Sequence, residues 1–152
     1  MKSLQDTYGP NTTCFGCGPA NAQGLQLKSF DQGEECVAEY RVMKHHEAFP
    51  GVVNGGIIGA LLDCHSNWTA TSALMRRSGS QTPPCTVTAD FHVVLKRPTP
   101  SDAVLKLRAR AVELGDDRAV IDATLEANGK VCATCKGAFV AVKEGHPAFH
   151  RW

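Results

Sequence analysis

The chain has 152 residues, enough for one domain with a real core and too few for two. Its 16 Lys and Arg nearly balance 15 Asp and Glu, so no long-range field of one sign exists to attract nucleic acid or an acidic membrane, and neither is expected as a partner. The opening residues MKSLQDTYGP lack the apolar core and cleavage site of a secretory signal. No run reaches the ~20 apolar residues of a membrane span, so a single cytoplasmic domain is expected.

The first 30 residues contain CFGCGPANAQGLQLKSF, whose Gly16, Gly18, Pro19 and Asn21 favour tight turns over any regular element. An ordered loop is expected over 1–30. From Glu34 to Met43 the pattern alternates, with Cys36, Ala38, Tyr40 and Val42 on one face, as in a half-buried strand. KHHEAFPGVV then reads as a linker.

From Gly55 to about Arg77 no proline occurs, and Ile57, Ile58, Ala60, Leu61, Leu62, Cys64, Trp68, Ala73 and Leu74 spread around much of a helical circumference. That distribution predicts a helix buried on most sides. Asn54 can cap it, and the paired Gly55 and Gly56 leave its first N–H groups open to approach. One residue is out of keeping: Asp63, a carboxylate in an apolar helix, is costly to bury unless something binds it or uses it.

After the loop RRSGSQTPP the remainder is β-like. CTVTADFHVVLKRP alternates and ends at Pro98. AVLKLRARAVELG alternates through Val104, Leu105, Leu107, Ala109, Ala111 and Val112, and stops at Gly115. RAVIDATLEA and KVCATCKGAFVAVK are joined by Asn128-Gly129, a strong hairpin signal, and the tail EGHPAFHRW is irregular. One strand, one long helix and four further strands give an α+β plan, an antiparallel sheet around a central helix.

Four stretches, in this order, carry a resemblance: CFGCGPANAQGL, PGVVNGG, Asp63, and VTADFHVVLKRPTP. The chain resembles the hotdog-fold acyl-CoA thioesterases of the phenylacetate-pathway (PaaI) type over nearly its whole length. The resemblance implies a hotdog fold, an antiparallel sheet of about five to six strands wrapped around one long helix, and hydrolysis of an acyl-CoA thioester. It implies that Asp63 is the catalytic carboxylate, as base or as nucleophile, and that the amides of Gly55 and Gly56 polarise the thioester carbonyl. Thr88 falls where a serine or threonine helps orient water. The family's usual histidine is replaced by Asn54, which serves if the side chain caps the helix and alters rate or substrate choice if it contacts the thioester. A further family asparagine falls on Ala48, so its role is absent or moved. No cofactor is implied beyond the coenzyme A of the substrate.

Gly55 and Asp63 are eight residues apart, ~12 Å along one helix at 1.5 Å per residue. They cannot both touch one thioester. If both are catalytic, the glycine of one helix faces the aspartate of another, and a twofold axis achieves this twice. A homodimer, or a dimer of dimers, is the expected working unit. Against this stand a helix Asp that merely accepts hydrogen bonds from a strand, or pairs with His65 or Arg76. Two other functions stay open: a non-catalytic acyl-CoA binding protein, and a hydratase or dehydratase, which lacks a histidine at the helix entrance.

Seven cysteines without an export signal argue for reduced thiols. Cys14/Cys17 and Cys132/Cys135 share CxxC spacing, yet positions three apart in a strand face opposite ways, and the pairs are over a hundred residues apart. Buried thiols are preferred to a four-cysteine zinc site. The Cys14–Cys17 turn is structural or a redox switch. His45, His46, His92 and Glu47 are not expected to hold a metal, because adjacent histidines in an extended linker diverge; His65 is expected to pack. Lys96 and Arg97 either meet coenzyme A phosphates or end a strand in solvent. Trp68 and Phe49 are candidates for shaping the acyl pocket.

Overall fold

The computed structural model describes all 152 residues. Its axis is the helix α2, Gly55–Ser78, preceded by α1 (Leu4–Tyr8), β1 (Phe30–Asp31), β2 (Cys36–Tyr40), a 3-10 turn (Lys44–His46), β3 (Glu47–Phe49) and β4 (Val52–Val53). The strands β5 (Thr86–Leu95), β6 (Leu105–Leu114), β7 (Arg118–Ala127) and β8 (Lys130–Ala141) follow it. They form with β1 and β2 an antiparallel six-stranded sheet in the order β1-β2-β6-β7-β8-β5. This is the α+β hotdog arrangement expected from the sequence.

α2 starts where Asn54 Oδ1 accepts the N–H groups of Gly56 (2.7 Å) and Ile57 (3.2 Å), and ends at Gly79, whose φ of 71° closes the last turn. Every residue from Cys64 to Leu74 is buried. The sheet covers one side through Leu105, Leu107, Ile121, Leu125 and Phe139, all fully buried, and the N-terminal segment covers the other through Leu4, Cys17, Leu25 and Leu27. His65, Ser66, Asn67, Thr69, Thr71 and Ser72 lie in that buried stretch among the apolar residues, so no single face is distinctly apolar and the helix is only weakly amphipathic.

The N-terminal segment corrects one expectation. It is not all loop: Ser3 Oγ accepts the N–H of Asp6 at 3.0 Å and starts α1. The linker before α2 is not extended either. Pro50-Gly51, with φ of 87° at Gly51, turns β3 back onto β4, and the His45 and His46 rings come within 4.3 Å. Glu47 holds that hairpin by accepting from Gly51 N (2.7 Å) and Ser101 Oγ (2.6 Å). Asn128 and Gly129, at φ 53° and 77°, make the predicted β7–β8 turn.

Three β-bulges in the six-stranded sheet break the alternation that the sequence suggests, one of them at Val112 in β6, where Ala111 pairs Ile121 and Glu113 pairs Val120. In β5, Thr88 pairs Phe139 and Asp90 pairs Ala138, so Ala89 is an extra residue and facing reverses there. Thr86 and Thr88 point at α2 before the bulge; Phe91, Val93 and Leu95 do so after it. In β8, Cys132 is the extra residue. Cys132 and Cys135 are consequently both buried rather than on opposite faces.

His65 is fully buried and fully bonded, as expected of a packed histidine. Its Nδ1 lies 2.8 Å from Ser29 Oγ and its Nε2 3.0 Å from the Cys36 carbonyl. Ser29 also takes the Gln5 amide at 3.1 Å, so Ser29 donates to Nδ1 and the Nε2–H donates to Cys36. Burial pushes the imidazole down to about 4 from an ordinary 6.5. The unfolded chain therefore takes up a proton below about pH 6.5 that the fold refuses until about pH 4. Folding stability is expected to fall by up to ~3 kcal/mol as pH drops through that window. Urea midpoints at pH 7 and pH 4.5 measure the loss, and imidazole resonances should show a neutral Nε2–H ring at pH 5.5.

Candidate active site

Asp63 lies two turns into α2, half-buried, at the edge of the stretch that the N-terminal segment encloses. Its Oδ1 accepts the Thr88 hydroxyl at 2.6 Å, a contact set up because the bulge at Ala89 leaves Thr88 facing the helix. Oδ2 makes no hydrogen bond within the chain. Burial raises the carboxyl above its ordinary value of 3.8; the Thr88 hydrogen bond opposes that, the Cys14 sulfur adds to it, and Arg151 lowers it. A half-desolvated carboxylate with one oxygen fixed and one free is a stronger base than an exposed aspartate.

The alternative partners for Asp63 are occupied elsewhere. His65 bonds Ser29 and Cys36, while Arg76 reaches Asp31 at 3.1 Å. The hydroxyl that Asp63 does accept comes from a strand, yet it takes only one oxygen.

The helix face leading to Asp63 carries Gly56, Gly59 and Ala60, none of them buried. Beside it runs β5, the outer strand of the sheet, with Phe91, Val94 and Leu95 exposed at 44, 44 and 56%. A ten-residue edge strand with bare apolar side chains is one that natural proteins cover. Leu95 also reaches the helix start, its Cδ1 lying 3.1 Å from where a Cβ on Gly55 would sit.

The amides of Gly55 and Gly56, the expected oxyanion donors, stand in different surroundings. The Asn54 side chain is committed to the cap, and the N–H of Gly56 is spent on it at 2.7 Å. The N–H of Gly55 has no partner within the chain, so one of the two amides remains open. Trp68 is 1% exposed and packed on Trp152, 4.6 Å between rings, so it lines no open pocket. Phe49, 60% exposed on the β3–β4 hairpin, is free to contact a ligand.

Lys96 and Arg97 leave the end of β5, their N–H groups both reaching the Cys132 carbonyl. Arg97 borders a 420 Å³ cleft with Gly51, Pro98, Asn128 and Lys130; Lys96 lies outside it. Lys130 is a cation the sequence reading missed, since only the β7–β8 turn carries it beside Arg97. The tail, irregular in sequence, packs against the body of the protein. Trp152 Nε1 donates to the Pro84 carbonyl at 3.2 Å and Arg151 stacks 4.4 Å over its ring, which sets that guanidinium near Asp63. A groove of 680 Å³ opens on the outer sheet face among Asp90, His92, Asp122 and Lys136, away from the helix.

A helix sheathed by an antiparallel sheet, with a half-buried acid on its least covered face, defines a hotdog-class protein with a candidate acid–base site. Residues 50–133 match the family model of the thioesterase superfamily, more than half of the sequence, and the chain belongs to that family. A thioesterase superfamily protein from Shewanella loihica PV-4 is 30% identical, with 82% of this chain and 98% of that one aligned at a TM-score of 0.67. The E. coli PaaI protein of the phenylacetic acid degradation operon shares the fold at 17% identity, covering 82% and 85% with a TM-score of 0.68. A Streptococcus mutans UA159 protein bound to acetyl CoA shares it at 17% identity, covering 76% and 88% with a TM-score of 0.64. No curated protein matches the sequence significantly. No helix is long and apolar enough to cross a membrane.

Proposed function

We propose that the protein is a homodimeric hydrolase of acyl-CoA thioesters, with Asp63 of one subunit and the Gly55 N–H of the other meeting at each site. The observation that carries this reading is the Asp63 carboxylate, raised in pKa and held by Thr88 at 2.6 Å on an incompletely covered helix face. As base, Asp63 takes a proton from water, the hydroxide adds to the thioester carbon, and the oxyanion forms against the helix-start amide. Collapse expels the coenzyme A sulfur, to which Asp63 returns the proton. As nucleophile, the free Oδ2 attacks the same carbon and expels the coenzyme A thiolate, leaving an acyl–Asp63 mixed anhydride that water then cleaves to the free acid and the Asp63 carboxylate. Label in the Asp63 side chain after single turnover in ¹⁸O-water would identify the anhydride route, since it enters there only by water attack on the Asp63 carbonyl.

The dimer rests on two features: the uncovered strand β5 with its apolar residues, and a donor and an acid too far apart on one helix to share a substrate. Hydrolysis of a panel of acyl-CoA thioesters, followed with a thiol-reactive dye, tests the activity. Tight coenzyme A binding without turnover would instead support the non-catalytic binding protein.

Arg97 and Lys130 are assigned to coenzyme A phosphates. The Arg97→Ala, Lys130→Ala double variant is expected to raise KM for acyl-CoA about tenfold, the size of two partly screened charge contacts. The KM for the corresponding acyl-pantetheine, which lacks those phosphates, should not move.

A further inference from the structure

The turn Cys14-Phe15-Gly16-Cys17-Gly18 is closed by the Gly18 N–H donating to the Cys14 carbonyl at 2.8 Å. Only glycine fits at its end, since a Cβ on Gly18 would meet the Thr12 carbonyl oxygen at 2.6 Å. The backbone N–H groups of Cys17 and Gly16 point at the Cys14 sulfur. Against this turn α2 brings Cys64, whose sulfur lies 3.7 Å from that of Cys14 and occupies the space a side chain at Gly16 would fill. All three sulfurs fall within 4.8 Å of one another, and none is in a disulfide. One turn along α2, the Trp68 indole N–H donates to the Cys17 sulfur at 3.3 Å.

We propose that Cys14, Cys17 and Cys64 are the three protein ligands of a zinc-class divalent cation that clamps the N-terminal turn onto the central helix. The spacing supports it: Zn–S bonds of about 2.3 Å at tetrahedral angles put sulfurs ~3.8 Å apart. The Cys14–Cys64 separation already has that value, and the remaining edges close by no more than ~1 Å. N–H groups directed at sulfur are the outer-shell support that thiolate ligands use. A dication would ionise all three thiols, their protons passing to solvent. The fourth position lies on the side of Cys14, the least buried of the three, and takes water. The pairing differs from the one that CxxC spacing suggests, because the second pair, Cys132 and Cys135, sits on β8 and takes no part.

The test uses the full chain, kept in a phosphine reductant, stripped with chelator and titrated with Co²⁺ and then Zn²⁺. One Co²⁺ per chain is expected, with thiolate-to-cobalt charge-transfer absorption, displacement by one Zn²⁺, proton release, and a rise in Tm. Outer-shell changes alone cost metal sites 10- to 100-fold, so Cys64→Ser should weaken Zn²⁺ by at least about 100-fold and abolish the absorption; Cys132→Ser should keep both. Absence of saturable Co²⁺ uptake by the wild type, or unchanged uptake by Cys64→Ser, overturns the site. Should Cys64→Ser fail to fold, alkylation of the wild type decides: Zn²⁺ must protect Cys14, Cys17 and Cys64 together, and alkylation indifferent to Zn²⁺ refutes the proposal. None of these readouts depends on thioester hydrolysis.

Discussion

Asp63→Asn is expected to lower kcat/KM for any accepted acyl-CoA by about 10²- to 10⁴-fold, the span of a lost general base. The fold should not suffer. Burial disfavours the charged carboxylate and Asn carries no charge, so Tm measured by calorimetry at pH 7 should stay or rise. Asn can still accept the Thr88 hydroxyl, which keeps the geometry and removes only the basicity. The pH profile gives an independent check. A base works when deprotonated, and burial raises this one, so the acid limb of kcat/KM should sit above the ordinary carboxylate value of 3.8. Thr88→Val deletes the interaction that holds the pKa down; the limb should move to higher pH, and kcat should fall about tenfold with the loss of one charge-assisted hydrogen bond. A profile unmoved by Thr88→Val would show that another group titrates.

Much of the architecture was legible because it is periodic. α2, the β7–β8 hairpin at Asn128-Gly129 and the three long strands after Pro98 are written in spacing that local chemistry enforces, and they stand where that spacing places them. α1 has a local signal as well: SLQD is a serine followed three residues later by an acid, and Ser3 Oγ both caps Asp6 N and donates to the Asp6 carboxylate at 2.9 Å. The bulges at Ala89 and Cys132 leave no local mark, since each arises from register against a neighbouring strand. Their effects are not local: one aims Thr88 at Asp63, and the other buries both thiols of β8. Convergence of Cys64 on Cys14 and Cys17 is likewise a matter of how the N-terminal segment lies across α2. The site residues named from the family pattern are partly together. Asp63 and Thr88 touch, whereas Gly55 lies two helical turns away, and Gly56 has its N–H taken by Asn54.

That separation permits a decisive exchange between subunits. Gly55→Pro should remove the proposed oxyanion donor and little else. Position 55 is the first residue of α2, where proline's fixed φ and missing N–H are tolerated. Asn54, at φ −61° and ψ 135°, already has the extended backbone that a residue before proline needs. The nearest obstacle is the flexible end of Leu95. Each variant alone, Asp63→Asn or Gly55→Pro, should be nearly inactive as a homodimer. Unfolded together and refolded in equal amounts, half the dimers are mixed, and each mixed dimer regains one site, built from the intact Asp63 of one chain and the intact Gly55 of the other. Activity should return to about one quarter of wild type, the statistical value for a twofold dimer with intersubunit sites. If acid and donor instead served one site within a single chain, every mixed dimer would hold two defective sites and no activity would return. The exchange therefore reads the geometry of the proposed site directly, whichever acyl-CoA is used as the probe.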